Sequence, residues 1–304
     1  MEAKITFLGT GSSKPTARRN HPALLLEYGS ENILFDCGEG TQRQFRIAKL
    51  NPCKLNRIFI SHWHGDHTLG LPGLLQTMKM SEYSGTLEIY GPKETKKNLD
   101  KINEVYGHFY KEFGENMNIK VKEISSGVVL DEKEFKIEAT LLNHGTPCYA
   151  YSFIIKDKRR IHKDKLKKLK LPHSPLLKKL QEGKDVTING KKLKAKDLTY
   201  IQKGKKLTII ADTALTPNAS KASKDADILV SESTYSSEEK ETAKDRNHLT
   251  AEQAATIAKK AKAKKLILNH LSERYEYKQD IILKEAKKVF KETIIAKDFD
   301  KFSF

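Results

Sequence analysis

The chain has 304 residues, of which 38% are apolar and 31% are charged, and the formal net charge is +17. This length suits one large domain or two ordinary ones, and it is enough to bury a hydrophobic core. No apolar run approaches the roughly 18 residues of a transmembrane helix, and the first residues carry no basic and apolar secretory signal. The three cysteines, Cys37, Cys53 and Cys148, form no closely spaced pair. We therefore expect a cytoplasmic protein without a disulfide scaffold and without a membrane partner.

Short apolar strands alternate with turns along the chain, and six of them end beside a histidine or an acidic residue. These six are predicted at residues 33–35, 57–61, 140–143, 207–211, 228–231 and 266–269, and two more strands at 5–8 and 23–26. In layered α/β proteins, functional sites form where the loops leave one edge of a sheet. We therefore expect a shared site built from the residues that follow the six strands, which are Asp36, His62, His144, Asp212, Glu232 and His270.

Three segments between the strands have the composition and spacing of helices. Residues 251–258 are rich in alanine, and Thr250 with Gln253 resembles a capping box at the start of this helix. Residues 280–291 carry apolar side chains on or near one face, and residues 95–113 are a further candidate helix. Strands alternating with helices in this way are typical of an α/β fold.

Residues 156–206 carry most of the excess positive charge. This segment holds 19 basic and five acidic residues, a balance of +14, whereas the rest of the chain has a balance of only +3. A helix-like stretch at 163–169 is followed by prolines and glycines, so we interpret the segment as an inserted arm with little core of its own. Such a block repels itself unless a polyanion such as nucleic acid neutralises it. The alternative is a solvated linker that has no partner.

The densest group of histidines and acidic residues follows the predicted strand at 57–61. The sequence SHWHGDH of residues 61–67 places three histidines and one carboxylate within six residues. Imidazoles and carboxylates are suitable ligands for Zn²⁺, and ligands in one loop reduce the entropy lost when the site assembles. Four packed ionisable groups beside a strand would be costly without a metal. Further ligands must come from other strand ends, where His144, Asp212 and His270 are the candidates.

The HxHxDH pattern after an apolar strand resembles the metallo-β-lactamase superfamily. This resemblance implies an α/β protein with a four-layer αβ/βα sandwich and a two-metal site between its two sheets. It leaves the substrate open, because members of the superfamily hydrolyse lactams, thioesters and phosphodiesters.

Other motifs narrow the resemblance to the tRNA 3′-processing endonucleases, the ribonuclease Z family in its short form. The loops SEST at 231–234 and HLT at 248–250 stand where that family has His-Glu-Ala-Thr and His-Ser-Thr. The sequence PTARRN at 15–20 is similar to the family's PxKxRN loop, with Ala17 in place of lysine. The resemblance extends from the first strand to about residue 275. Its longer motifs are FDCGEGT at 35–41, LNHGTP at 142–147, ADT at 211–213 and NHLSERY at 269–275.

The family's pattern implies a role for each matching residue. Two Zn²⁺ ions are implied, with Asp212 bridging them; the first is held by His62, His64 and His144, and the second by Asp66, His67 and His270. Asp66 would also orient the attacking water and accept its proton, while Glu232 and His248 would protonate the leaving 3′-oxygen. Asp36 would orient the metal ligands without contacting the metals itself. Contacts with tRNA are expected from Arg19, Asn20, Lys167, Lys168, Lys178 and Lys179. Two alternatives stay open, a helix-capping role for His248 and a turn role for Asp36.

The resemblance thus implies a single catalytic domain over residues 1–304 with the basic arm of residues 156–206 inserted into it. The expected function is a zinc-dependent endoribonuclease that removes 3′ trailers from precursor tRNA and leaves a 3′-hydroxyl on the tRNA. A homodimer is the expected assembly. One alternative is a small-molecule phosphodiesterase or thioester hydrolase of the same fold, which would have no use for a basic arm. Another is a nucleic-acid-binding protein that has lost catalysis.

Overall fold

The computed structural model describes residues 2–106, 117–168, 176–188 and 190–304. The chain divides into two compact units. The core unit comprises Met1–Asp131, Ile137–Phe153 and Lys206–Phe304, and the arm unit comprises Glu132–Lys136 and Ile154–Lys205.

The elements are numbered in chain order. The strands are β1 (Lys4–Gly9), β2 (Ala23–Tyr28), β3 (Glu31–Phe35), β4 (Arg57–Phe59), β5 (Thr86–Gly91), β6 (Asn118–Glu123), β7 (Gly127–Asp131), β8 (Phe135–Leu141), β9 (Tyr149–Ile155), β10 (Lys158–Ile161), β11 (Val186–Ile188), β12 (Lys191–Leu193), β13 (Thr199–Gln202), β14 (Lys206–Ile210), β15 (Ile228–Glu232), β16 (Leu266–Asn269), β17 (Thr293–Ile295) and β18 (Lys301–Ser303). The helices are α1 (Thr41–Ile47), α2 (Gly65–Thr68), α3 (Leu71–Met80), α4 (Thr95–Tyr106), α5 (Lys163–Lys168), α6 (Leu176–Gln181), α7 (Ala195–Leu198), α8 (Pro217–Ala222), α9 (Lys240–Asp245), α10 (Ala251–Lys260) and α11 (Gln279–Val289).

Two seven-stranded sheets form the centre of the core unit. The first has the order β18-β1-β2-β3-β4-β5-β6, and the second has the order β17-β16-β15-β14-β9-β8-β7. Strands β3 to β6 are parallel to one another, as are β14 to β17. The carboxyl ends of neighbouring strands therefore meet at one edge of each sheet, which is where α/β proteins assemble their sites.

The two sheets face each other through aromatic side chains. The ring centroid of Tyr151 on β9 lies 5.2 Å from that of Phe59 on β4 and 5.8 Å from that of Phe35 on β3. Helices cover both outer faces. Leu75 of α3 and Leu99 of α4 are buried in the cluster that includes the first sheet. The layers therefore run helix, sheet, sheet, helix, and the predicted αβ/βα sandwich is confirmed.

The alanine-rich helix α10 packs on the second sheet. Four of its alanines are buried, because small side chains let a helix approach a sheet closely. The hydroxyl of Thr250 accepts from the amide of Gln253, and the side chain of Gln253 accepts from the amide of Thr250. The predicted capping box is therefore confirmed, and it satisfies two amide groups that the first helical turn leaves free.

In the residues that the structure describes, the arm unit contains two β-ribbons and three short helices, α5 to α7. Strand β10 pairs antiparallel with β13, and β11 pairs antiparallel with β12. The expectation that this segment has little core was wrong, because each of several elements turns an apolar side chain inward while its lysines stay in solvent. The buried cluster contains Leu177, Leu180, Val186, Leu193, Ala195 and Leu198, with Ile161 and Leu166 packed against it.

The remaining helix predictions differ from the structure mainly at their ends. Helix α11 begins at Gln279 and ends at Val289. Helix α4 covers Thr95–Tyr106, and the other residues of the predicted helix, 107–113, lie outside the described ones. The predicted helix at 163–169 is observed as α5, and residue 169 is likewise not described. Within the described ranges, no helix is both long and apolar enough to cross a membrane.

Candidate metal centre

The histidine-rich loop leaves β4 and turns directly into the short helix α2. His62 and His67 are fully buried, at 0% and 1% exposure. Asp36, which follows β3, fixes the loop: its carboxylate accepts from the amide of Ser61 at 2.7 Å and from the hydroxyl of Ser61 at 2.8 Å. The same carboxylate lies 2.8 Å from Nδ1 of His67, so the Nε2 atom of that ring is directed toward the site.

Asp36 adopts a left-handed backbone conformation, with φ of 57°. His270, which follows β16, does so as well, with φ of 58°. Left-handed conformations are costly for residues with a side chain, and they are concentrated at functional sites. A turn role alone does not account for Asp36, because its carboxylate also contacts the side chains of Ser61 and His67.

A first group of four side chains comes from three loops: His62, His64, His144 and Asp212. One nitrogen or oxygen atom of each lies within 4.8 Å of the others. Nε2 of His62 is 3.0 Å from Nδ1 of His64, and Nε2 of His144 is 3.2 Å from the same atom. Oδ2 of Asp212 is 3.7 Å from Nε2 of His62 and 3.6 Å from Nε2 of His144.

A second group shares Asp212 with the first and adds Asp66, His67 and His270. Oδ1 of Asp212 is 3.3 Å from Nε2 of His270 and 3.4 Å from Nε2 of His67. Oδ2 of Asp66 is 3.4 Å from Nε2 of His270. The two oxygens of Asp212 therefore face different groups, as a carboxylate between two cations would.

The donor atoms fit divalent cations. Oδ1 of Asp212 is buried and forms no hydrogen bond with any part of the chain that the structure describes. An ionised oxygen in this position is costly unless a positive charge satisfies it. Two sets of imidazole nitrogens and carboxylate oxygens converge around it, which is the donor chemistry of Zn²⁺ and related metals.

The electrostatics of the two groups agree with this fit. Burial alone would raise the pKa of Asp212, but the charges of His270 and His67 outweigh burial and hold the pKa well below its usual range. Burial, together with the charge of His67, lowers the pKa of His62. For His67, burial lowers the pKa, but Asp212 and Asp36 raise it well above the usual value. A bound cation must displace that proton, since only a neutral imidazole binds metal.

Glu232 and His248 form a pair beside the second group. Nδ1 of His248 lies 3.1 Å from Oε1 of Glu232, and the amide of Thr213 donates to the same oxygen at 2.8 Å. Burial alone would lower the pKa of His248, but the charges of Glu232 and Asp212 raise it to about 9. The helix-capping alternative for His248 does not hold, because Thr250 caps α10.

Thr234 links this pair to the second group, and the sequence argument missed that role. Its hydroxyl donates to Oε2 of Glu232 at 2.7 Å and lies 2.9 Å from Nδ1 of His270. The position falls inside the SEST loop, but neither residue type nor spacing indicated this contact. The hydroxyl of Ser61 was missed for the same reason.

The predicted tRNA contacts lie in two places. Lys167 and Lys168 on α5, and Lys178 and Lys179 on α6, are exposed side chains of the arm unit. Arg19, in contrast, is buried, with 3% exposure. Its guanidinium donates to the hydroxyl of Thr10 at 2.6 Å, to the carbonyl of Ala296 at 2.7 Å and to the side chain of Gln279 at 2.9 Å.

Asn20 follows Arg19 and is half-buried. Its side-chain amide donates to the carbonyl of Glu39 at 2.7 Å. Its backbone amide donates to the carboxylate of Asp298 at 2.8 Å. In the structure Arg19 and Asn20 hold their own loop in place.

The two sheets and the paired groups of histidines and carboxylates define a protein of the metallo-β-lactamase fold. Among solved structures, the short form of human tRNase Z is similar, with a TM-score of 0.70, 27% identity and 98% of each chain covered. The metallo-β-lactamase fold protein YhfI from Bacillus subtilis has a TM-score of 0.72 and 22% identity, covering 100% of this chain and 99% of that one.

Sequence comparison identifies the family. The ribonuclease Z of Protochlamydia amoebophila is 40% identical over 300 residues, covering 99% of this chain and 96% of that protein. The ribonuclease Z of Pyrococcus horikoshii is 40% identical over 303 residues, covering 99% and 95%. A family model described as "Anti-Pycsar protein Apyc1" matches residues 3–179, so this part of the chain belongs to that family too. Over its full length the chain belongs to the ribonuclease Z family, the tRNA 3′-processing endoribonucleases.

Proposed function

We propose that the chain is a zinc-dependent endoribonuclease that removes 3′ trailers from precursor tRNA and leaves a 3′-hydroxyl on the tRNA. The observation that carries this proposal is the pair of four-residue groups that share Asp212, in a chain related over its full length to ribonuclease Z. The free thiols of Cys37, Cys53 and Cys148 support a cytoplasmic location as part of the proposal.

The two groups would each hold one Zn²⁺. His62, His64 and His144 would hold the first ion, Asp66, His67 and His270 would hold the second, and Asp212 would contribute to both. Zinc is favoured because five of the seven side chains in the two groups taken together are histidines. When bound, two such ions acidify a water molecule and neutralise charge on a phosphoryl group.

The chain's own residues orient the reactants and move the protons. Asp66 holds the attacking water and accepts its proton, since its carboxylate borders the second group. Burial raises the pKa of Asp66, but the hydrogen bond from His270 and the charge of His67 outweigh burial and keep the carboxylate ionised, so it can accept a hydrogen bond from the water. Asp36 keeps the ring of His67 in its binding orientation through the 2.8 Å contact with Nδ1.

Departure of the 3′-oxygen requires a proton, and His248 supplies it. Glu232 stabilises the protonated imidazole across 3.1 Å and keeps Nδ1 occupied, which leaves Nε2 as the donor. Burial lowers the pKa of His248, but the charges of Glu232 and Asp212 raise it, which favours the protonated ring that this step needs. The hydroxyl of Thr234 fixes the carboxylate of Glu232 in turn.

The arm of residues 156–206 would grip the folded tRNA at a distance from the cut. Its balance of +14 and its exposed lysines at 167, 168, 178 and 179 suit the phosphate backbone of an A-form helix. Residues 1–304 would then act as one catalytic domain with an inserted arm. A homodimer belongs to the same proposal and is supported by the family resemblance.

A small-molecule phosphodiesterase of the same fold is the second candidate. It is favoured by the two groups of candidate ligands taken alone, because two bound metals would serve any phosphodiester. The match to the other family model ends at residue 179, before Asp212, Glu232, His248 and His270, whereas the ribonuclease Z relatives cover them all. Measuring kcat/KM on a 3′-extended tRNA and on a chromogenic phosphodiester separates the two. The proposal predicts strong preference for the tRNA, and equal or better use of the small substrate would contradict it.

A further inference from the structure

The second metal group draws its side chains from both sheets. Asp66 and His67 follow β4 of the first sheet, whereas Asp212 and His270 follow β14 and β16 of the second. Nε2 of His270 lies 3.4 Å from the carboxylate of Asp66 and 3.3 Å from that of Asp212. A bound metal tolerates deviations of only roughly 0.2 Å in the distances to its ligands. The spacing of the two sheets must therefore be fixed at this point.

The backbone beside His270 is held from the first sheet. His270 is left-handed, with φ of 58°, and such a conformation persists only where the surroundings enforce it. The amide of Leu271 donates to the carbonyl of Thr10 at 3.1 Å, and the carbonyl of Leu271 accepts from the amide of Ser12 at 3.1 Å. Thr10 and Ser12 follow β1 of the first sheet. Both backbone polar groups of the residue after His270 are thus bound by the other sheet's loop.

The side chain of Thr10 is fixed in turn by two groups of opposite charge. Thr10 is fully buried, and its hydroxyl accepts from Nη1 of Arg19 at 2.6 Å. Because a guanidinium can only donate, the hydroxyl proton is free for Oδ1 of Asp298, which accepts it at 2.6 Å. Hydrogen bonds with charged partners are among the stronger ones in proteins. Arg19 and Asp298 therefore leave Thr10 a single orientation.

Asp298 lies on the crossover between the two sheets. It follows β17 of the second sheet and precedes β18 of the first. Its other oxygen, Oδ2, accepts from the backbone amide of Asn20 at 2.8 Å and from the side chain of Gln44 on α1 at 3.0 Å. Arg19 donates to the carbonyl of Ala296, directly after β17, at 2.7 Å. Arg19 and Asp298 thus tie the end of the second sheet to segments that pack with the first.

We infer that Arg19, Thr10 and Asp298 are positioning residues for the second metal group, an assignment that rests on the proposed function. Through Leu271 they keep His270 left-handed, with its Nε2 directed toward the carboxylates of the group. Loss of the Thr10 hydroxyl would let the loop after β1 shift, and the ring of His270 would shift with it. The first group shares only its bridging carboxylate with the second, so it should be affected much less.

The test measures zinc affinity at one site at a time, by competition with a chelator. His64→Ala weakens the first group and leaves the second to be titrated, and His270→Ala does the reverse. Thr10→Val keeps the shape of the side chain but removes its hydroxyl. In the His64→Ala background it should raise the zinc Kd roughly tenfold, the lower end of the effect expected when a residue that orients a metal ligand is lost. In the His270→Ala background it should change Kd less than about twofold.

Two further variants separate positioning from general damage. Thr10→Ser keeps the hydroxyl and should retain the wild-type affinity in both backgrounds. Asp298→Ala leaves Thr10 intact but removes its acceptor, so it should weaken the second site as Thr10→Val does. Thr199→Val is the matched control: Thr199 is also a buried threonine whose hydroxyl accepts from an arginine, Nη1 of Arg159 at 3.0 Å, but it lies in the arm unit. Its zinc Kd should equal that of the wild type.

Thermal unfolding of the metal-free proteins checks that each variant is folded at the temperature of the titration, and Asp298→Ala decides if Thr10→Val is not. Equal losses of affinity in the two backgrounds, or no loss in either, would overturn the inference while the proposed function stands. Absence of zinc binding by the wild type would overturn the proposed function and the inference together, so the two failures are distinguishable.

Discussion

Replacing Asp212 by alanine tests whether one carboxylate serves both metal groups. Its two oxygens face different sets of histidines: Oδ1 lies 3.3 Å from His270, and Oδ2 lies 3.6 Å from His144. The change should therefore weaken both sites together. A change of His64 or His270 to alanine should weaken mainly the group to which that residue belongs.

The expected size follows from the number of donors. Asp212→Ala removes one of four side chains from each group. Loss of a residue that merely orients a metal ligand costs about 10–100-fold in affinity, so loss of a direct ligand should cost at least ~100-fold at each site. That is about 2.7 kcal/mol per site. At a free zinc concentration about tenfold above the wild-type Kd, the wild-type site is mostly filled and the weakened site is mostly empty.

The assay is metal content per chain by mass spectrometry, after dialysis against buffered free zinc. The wild type should retain two ions, His64→Ala and His270→Ala about one, and Asp212→Ala close to none. Asp280→Ala is the matched control, because its carboxylate pairs with Lys284 at the surface and should not affect zinc. Retention of both ions by Asp212→Ala would refute the bridging assignment.

Three further changes address the other parts of the account. Asp66→Ala should abolish cleavage but leave the Kd for precursor tRNA within about twofold by gel shift. A loss of tRNA binding as large as the loss of cleavage would contradict the assignment of binding to the arm and of catalysis to the metal site. Glu232→Gln removes the main charge that raises the pKa of His248 to about 9, so the alkaline fall of kcat should move to lower pH; an unmoved limb would exclude His248 as the acid. Deleting residues 156–205, which spares the start of β14, should preserve two bound metals and the activity on a small phosphodiester. It should weaken tRNA binding. The slope of log binding constant against log salt concentration should become shallower by roughly 0.7–0.9 for each lost phosphate contact. Full tRNA processing with an unchanged salt slope would show that the arm is only a linker.

The sequence was sufficient to predict which residues meet, because the site is built at strand ends. His62, His144, Asp212 and His270 each follow a short apolar strand, and the parallel pairing of β14, β15 and β16 brings the last two to one edge. The layered fold was predictable for the same reason. The apolar periodicity, and the histidine or acidic residue that follows each strand, are local features of the sequence, and both can therefore be recognised without knowledge of the tertiary structure.

Contacts made by single hydroxyl groups could not be predicted in this way. Thr234 bridges Glu232 and His270 only because β15 and β16 place their ends in register, with Glu232 opposite Asn269. No local pattern encodes that register. Arg19 shows the same limit, since its charge suggested a surface contact while three distant partners hold it in the interior.

The core of the arm unit was not predicted, because the overall composition of the segment does not show at which positions its apolar residues lie. Lysines dominate residues 156–206, and they hide the spacing of the few leucines. Leu177 and Leu180 lie three residues apart on α6, on the same side of a helix, and both are buried. Position-by-position analysis of the apolar residues would have found them.

The most direct test of the central claim is incubation of the purified, zinc-loaded protein with a 3′-extended tRNA, followed by mapping of both product ends. The account predicts one cut at the junction of the tRNA and its trailer, with a 3′-hydroxyl on the tRNA and a 5′-phosphate on the trailer. Failure to cut, or a tRNA product that ends in a 3′-phosphate or a 2′,3′-cyclic phosphate, would contradict it.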